Sequence, residues 1–111
     1  MSTFSRAGRA RRIGSQARLG RARATTVATR LGIALRDARN AAALSQSEVA
    51  DRAGVSQPFV SHLERGFGTN ASIESWSLVC AAVGEQFVGF LERAPGADRP
   101  RDLEHLRRRA R

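Results

Sequence analysis

The sequence predicts an all-α domain of five helices with a basic arm on either side. Two observations support this fold class: apolar residues recur at steps of three and four along most of the chain, and capping residues and glycines separate the runs. We find no convincing strand. The 111 residues fit a single domain, which we place at residues 25–93. Residues 1–24 form the first arm, and residues 94–111 form a linker with a basic tail or short helix.

The charge is concentrated at the two ends of the chain. All 19 basic residues are arginine, and against 10 acidic residues they give a net charge of +9. Residues 1–24 contribute +7 and residues 93–111 contribute +4, whereas residues 25–92 sum to −2. A slightly acidic body therefore carries two basic arms, which would concentrate near a polyanion such as nucleic acid.

Composition argues against several classes of protein. No run approaches the ~20 apolar residues of a membrane-spanning helix, so we expect no membrane partner. One cysteine and two distant histidines offer neither a disulfide framework nor an obvious metal centre or activated nucleophile. We therefore expect a cytoplasmic protein that is not an enzyme and has no cofactor. The first arm has the composition of a disordered segment, and also of an organelle transit peptide, although it lacks a clear amphipathic repeat.

The first two helices have clear signals. Helix one is predicted from Thr26 to about Ala42, with one apolar stripe formed by Val27, Leu31, Leu35 and Ala38. Helix two starts at Ser45, which stands three residues before Glu48 in a capping box, and it ends at Gly54.

Three more helices follow. Helix three is capped by Ser56 and ends at Gly66, with Pro58 tolerated in its first turn. After a loop at 67–71, helix four starts at Ser72 and ends at Gly84, and the residues on its apolar face are Ile73, Trp76, Val79, Cys80 and Val83. Helix five is predicted over 85–93, with the apolar residues Phe87, Val88, Phe90 and Leu91.

Helices two and three, with the break at Gly54, have the spacing of a helix-turn-helix, in which the second helix enters the DNA major groove. The run from Leu44 to Gly66, LSQSEVADRAGVSQPFVSHLERG, resembles the phage-repressor and Cro family of bacterial proteins, also called the Xre family. The resemblance extends from about Leu31 to Leu91. It implies a lambda-repressor-like domain that binds double-stranded DNA.

The resemblance also implies a role for individual residues. Gln46 corresponds to the glutamine that bonds a backbone phosphate and steadies the first reading side chain, which here is Gln57. The side-chain amide of Gln57 carries both a hydrogen-bond donor and an acceptor, which complement N7 and the N6 amino group of adenine. The remaining DNA-binding candidates are Pro58 (apolar contact), Phe59 (a thymine methyl or helix packing), Ser61, His62 and Arg65.

Two further features bear on the fold. Arg39 and Glu64 correspond to a structural ion pair of the family that ties helix one to the end of helix three. Ala43 stands where the family usually has glycine, and a left-handed backbone there would cost roughly 1–2 kcal/mol.

These features favour a transcriptional regulator, most simply a repressor that occludes its operator. We expect a homodimer formed through helix five, in the bacterial nucleoid. The alternatives are an antitoxin that represses its own operon and masks a toxin protein, or the DNA-targeting module of a larger enzyme. Basic arms alone could also bind RNA, although the chain lacks the usual aromatic stacking platform.

Overall fold

The computed structural model describes residues 3–95, with side chains from Gly14 onward. This part of the chain is all-helical, with four α-helices and one short 3₁₀ turn. The helices are α1 (Thr3–Ala41), α2 (Gln46–Ala53), α3 (Gln57–Glu64) and α4 (Ile73–Ala82), and the 3₁₀ turn Gly68–Asn70 lies between α3 and α4. None of the helices described has both the length and the apolar character needed to cross a bilayer.

Helices α2 and α3 begin and end where the local sequence signals predict. The Ser45 hydroxyl accepts a hydrogen bond from the Glu48 amide at 3.0 Å, and the Glu48 carboxylate accepts one from the Ser45 amide at 3.0 Å. Gly54 ends α2 in the left-handed conformation at φ 70°. Ser56 then caps α3, with Pro58 in the first turn. The helix-turn-helix is thus encoded by short-range hydrogen bonds and one glycine.

A small apolar core joins α2, α3 and α4 to the C-terminal half of α1. Its fully buried side chains are Val49, Val60, Leu63 and Val79. Trp76 closes one side, where its indole N–H donates to the carbonyl of Gly68 at 3.3 Å. A buried indole therefore keeps its hydrogen bond while it fixes the turn that follows α3.

Helix α1 lies against the end of α3 at very close range. A side chain at Gly32 would meet the carbonyl oxygens of Leu63 and Glu64, and one at Gly66 would meet Thr29. Glycine at position 32 therefore allows the two backbones to approach each other, which sets the position of α3 relative to α1.

The expectation of a disordered first arm differs from the structure, in which α1 begins at Thr3 rather than Thr26. Alanine and arginine dominate this stretch and have high helix propensity, so it can extend a helix already nucleated by the packed residues that follow it. The apolar stripe that marks helix one is needed for packing, not for helix formation. Side chains from Arg18 to Val27 are indeed exposed.

The prediction of helix five is wrong. Residues 85–93 have no regular structure, and Gly84 precedes them in the left-handed conformation at φ 82°. A helix of this length has little stability unless its apolar face is packed. Only Phe87 packs, against Trp76 with ring centroids 6.2 Å apart, while Val88, Phe90 and Leu91 are exposed. We call residues 85–93 the strap.

Three smaller expectations have clear outcomes. Ile73 is 75% exposed, so it does not share the buried face of α4 with Trp76 and Val79. Val27 is likewise exposed on α1, where the neighbouring Ala28 is buried instead. Ala43 does adopt the left-handed conformation, at φ 56°. The predicted basic tail or short helix at 101–111 lies outside the described residues.

Candidate nucleic-acid interface

The candidate base-reading residues lie along one side of α3. Gln57, Pro58 and His62 are exposed, as is Arg65 directly after the helix. Ser61 and Phe59 are half-buried, and Phe59 packs against the core. The first turn of α3 therefore presents an amide and a proline ring to solvent, with an imidazole one turn further on.

Gln57 is held in place by a side chain from the other helix of the motif. Its Nε2 donates to Oε1 of Gln46 at 2.7 Å. Gln46 in turn donates through Nε2 to Oε1 of Glu64 at 3.2 Å. A hydrogen-bond network thus connects a buried carboxylate to the exposed Gln57. The side-chain carbonyl oxygen and the second amide hydrogen of Gln57 take no part in this network.

Glu64 is the anchor of this network, because its side chain is fully buried. Arg39 donates to both of its oxygens, through Nε at 2.6 Å and Nη2 at 2.9 Å, and Arg36 Nε approaches at 3.4 Å. Burial by itself would raise the pKa of Glu64, but the hydrogen bonds from Arg39 and Gln46 and the positive charge of Arg39 outweigh it, so the pKa is lowered. Glu64 is therefore ionised at neutral pH.

Arg39 also fixes the entry to α2. Its Nη1 donates to the carbonyl of Leu44 at 2.9 Å, one residue before the cap of α2. The hydrogen bond to Glu64 raises the pKa of Arg39 further. One guanidinium thus ties α1, the start of α2 and the end of α3 together, which makes the predicted Arg39–Glu64 pair a structural feature of the interface.

A second cluster lies at the C-terminal end of α3. The ring of Phe67, which is mostly exposed, lies 5.5 Å from the His62 ring, and the Arg65 guanidinium lies 5.4 Å from its centroid. Contact with an aromatic face favours a guanidinium close to the ring, so Phe67 limits the range of positions of Arg65.

The structure therefore brings Gln46 and Gln57 together and groups His62 with Arg65, while Phe59 turns partly toward the core. Sequence reasoning missed the link from Gln46 to Glu64, the participation of Arg36 and the contact of Phe67 with both His62 and Arg65. The one available signal was spacing: Arg36 precedes Arg39 by three residues, so both can lie on the same side of α1.

The described residues contain no group of three His, Cys, Asp or Glu side chains placed to hold a metal ion. A family model described as helix-turn-helix matches residues 35–90, which covers α2 to α4, the end of α1 and most of the strap. No curated protein and no solved structure matches the chain significantly. With half of its length matched, and with the capped helix pair and the Arg39–Glu64 pair in place, the chain belongs to the Xre-like helix-turn-helix family of DNA-binding transcription regulators.

Proposed function

We propose that this protein is a transcriptional repressor that occupies an operator and excludes the transcription machinery from it. The observation that carries the proposal is the placement of Gln57. Its side chain stands at the exposed first turn of α3 and is held by Gln46, which is itself held by the buried Glu64. A side chain fixed in this way loses less conformational freedom when it binds a base.

Gln57 is the specificity residue in this proposal. Its free amide atoms match the N6 and N7 positions of adenine, and such a bidentate contact is worth about 1–3 kcal/mol of discrimination. Pro58, Ser61 and His62 contribute neighbouring contacts, and the partly exposed Phe59 ring reaches a thymine methyl. Gln46 and Arg65 contact phosphates at either end of the reading helix.

Selection of bound duplexes from a random pool tests this assignment. Gln57→Ala should lose preference at one base position. Gln46→Ala should weaken the same preference less, because it leaves the Gln57 side chain present but no longer held, and it should also weaken binding to all duplexes through the lost phosphate contact. Gln86→Ala is the matched control, since Gln86 is exposed in the strap and has no part in the proposed DNA surface. If the Gln57→Ala protein selects the same sequence with the same strength, Gln57 does not read bases.

The arginines of α1 supply affinity in this proposal. Gly32 of α1 lies against the end of α3. Further toward the N-terminus of α1, Arg21 lines a pocket with Thr69 and Asn70 of the 3₁₀ turn. The N-terminal part of α1 therefore extends past the end of the reading helix. Its exposed guanidinium groups at Arg18, Arg21 and Arg23 can bind phosphates on either side of the groove.

A salt titration separates this role from base reading. Replacement of Arg18, Arg21 and Arg23 by glutamine should weaken binding to all duplexes and reduce the salt slope by about one for each lost phosphate contact. Arg93→Gln, in the strap, is the control. Equal slopes for the triple variant and the parent protein would refute phosphate binding by α1.

A homodimer completes the proposal, because one reading helix covers only a few base pairs and related domains bind two half-sites about 34 Å apart. Support comes from the strap, where Phe90 is 80% exposed beside the exposed Val88 and Leu91. Sedimentation with and without the selected duplex tests it: Phe90→Ser should shift a dimer to the monomer, and a parent protein that remains monomeric on DNA would refute it.

Repression itself needs its own assay. Transcription in vitro from a promoter that overlaps the selected site should fall as the protein is added. The Gln57→Ala protein should lose this effect at equal concentration. A rise in transcription would identify an activator instead and would contradict operator occlusion.

A further inference from the structure

A cavity of about 630 Å³ opens on the side of the domain away from the reading helix. Its walls are mostly apolar and come from α1, the end of α4 and the strap, including Leu31, Ala34, Ala38, Cys80, Val83 and Phe87. Ala34 and Ala38 lie about 200–240° around α1 from Gly32, the residue that faces α3, since each residue turns the helix by about 100°. An occupant of this cavity would leave α3 free.

The rim of the cavity is acidic. Asp37 on α1 and Glu85 at the start of the strap both line it, and no arginine of the described residues does. Both carboxylates are exposed. The apolar walls and the acidic rim together favour an occupant that combines apolar side chains with positive charge.

Residues 101–111 have this composition. Leu103 and Leu106 are three residues apart, and the arginines around them are Arg101, Arg107, Arg108, Arg109 and Arg111. Only residues 89–100 separate this segment from Val88 in the cavity wall. At ~3.3 Å per residue they can span up to about 40 Å, which is ample for a return to the cavity.

Attachment to the same chain makes such docking favourable. A short tether holds a segment at an effective concentration on the order of millimolar, so a modest intrinsic affinity is enough for occupancy. Burial of two leucines and the pairing of two carboxylates with arginines supply a binding free energy of this modest size.

We propose that residues 101–111 dock in this cavity of their own chain, with Leu103 and Leu106 against its apolar wall and the arginines beside Asp37 and Glu85. Docking covers the apolar wall of the cavity and leaves Phe90 and Leu91, which do not line it, free for the homodimer. It also places this second basic segment away from α3, so that α1 is the basic element that faces DNA.

Cys80 provides the probe, because it is the single cysteine of the chain and it lines the cavity. Alkylation of the full-length chain by a small maleimide should be slow. Leu103→Glu with Leu106→Glu should release the segment and speed the reaction about tenfold, because the parent chain reacts only in the fraction of molecules, about one tenth, in which the segment is undocked. The matched control is Leu19→Glu with Ile33→Glu, two exposed apolar residues outside the cavity, with circular dichroism to verify that every variant is folded.

The outcomes separate the occupants of the cavity. Fast alkylation only in the Leu103/Leu106 variant, independent of protein concentration, supports docking. Equal rates in the parent chain and this variant would overturn it. Protection that grows with protein concentration, or that is lost in the Phe90→Ser protein, would instead identify a second copy and also overturn it.

Methyl NMR gives an independent readout. In the docked state, the methyl groups of Leu103 or Leu106 should show NOEs to Val83 in a uniformly labelled sample and none between differently labelled chains in a mixed sample. The absence of these NOEs in the uniformly labelled sample would refute docking, whatever the alkylation rates.

Discussion

The substitution Glu64→Gln removes one negative charge from the contact between α1 and α3 and hardly changes the volume of the side chain. The native carboxylate is fully buried and accepts hydrogen bonds from Arg39, Gln46 and Arg36. The Arg39 side chain is only 14% exposed, so the substitution leaves its charge without a partner in a poorly solvated position.

The magnitude follows from this geometry. Loss of one partner of a buried ion pair typically costs about 3–5 kcal/mol, and the exposed Arg36 adds less than about 1 kcal/mol. We expect Glu64→Gln to lower the free energy of unfolding by about 3 kcal/mol, because a glutamine retains an oxygen that can accept from Gln46. In a domain of this size the melting temperature should fall by roughly 10–25 °C.

Urea unfolding monitored by circular dichroism and by Trp76 fluorescence measures the effect. Glu92→Gln makes the same change of charge at an exposed position in the strap and should alter stability by less than about 0.5 kcal/mol. A Glu64→Gln protein within 1 kcal/mol of its parent would refute the view that this carboxylate holds α1 against α3.

Three other predictions concern stability. The pKa of Glu64 is lowered in the folded state, so its contribution to stability is fully present above the ordinary carboxyl value of 4.5 and is lost as the pH falls further. Urea midpoints measured down to about pH 3 should therefore fall more steeply in the parent than in Glu64→Gln. Ala43→Gly should stabilise the fold by up to about 1 kcal/mol, because glycine adopts the left-handed conformation of position 43 without the strain of alanine. The neighbouring Ala42→Gly should destabilise the fold, and a loss of stability in both variants would contradict backbone strain at Ala43. Gly32→Ala should lower the melting temperature and weaken DNA binding together, because the new methyl group meets the Leu63 carbonyl, and an unchanged melting temperature would show that α1 can shift without cost.

Local signals in the sequence determined the helix-turn-helix. The Ser45 and Glu48 capping box, Gly54 and Ser56 each act within a few residues of their own position, so their effect can be read without knowledge of the rest of the chain. The resemblance that they support also predicted the Arg39–Glu64 pair.

Tertiary structure decided what depends on distant partners. Helix formation over residues 85–93 requires an apolar surface to pack against, and the apolar residues alone could not show that only Phe87 finds one. The hydrogen bond between Gln46 and Glu64, 18 residues apart, depends on the packing of α2 against α3, and Arg39 of α1 holds the Glu64 carboxylate in place. Periodicity reports which face of a helix is apolar, but the contact that covers this face, or leaves it open, is set by the packing of the whole domain.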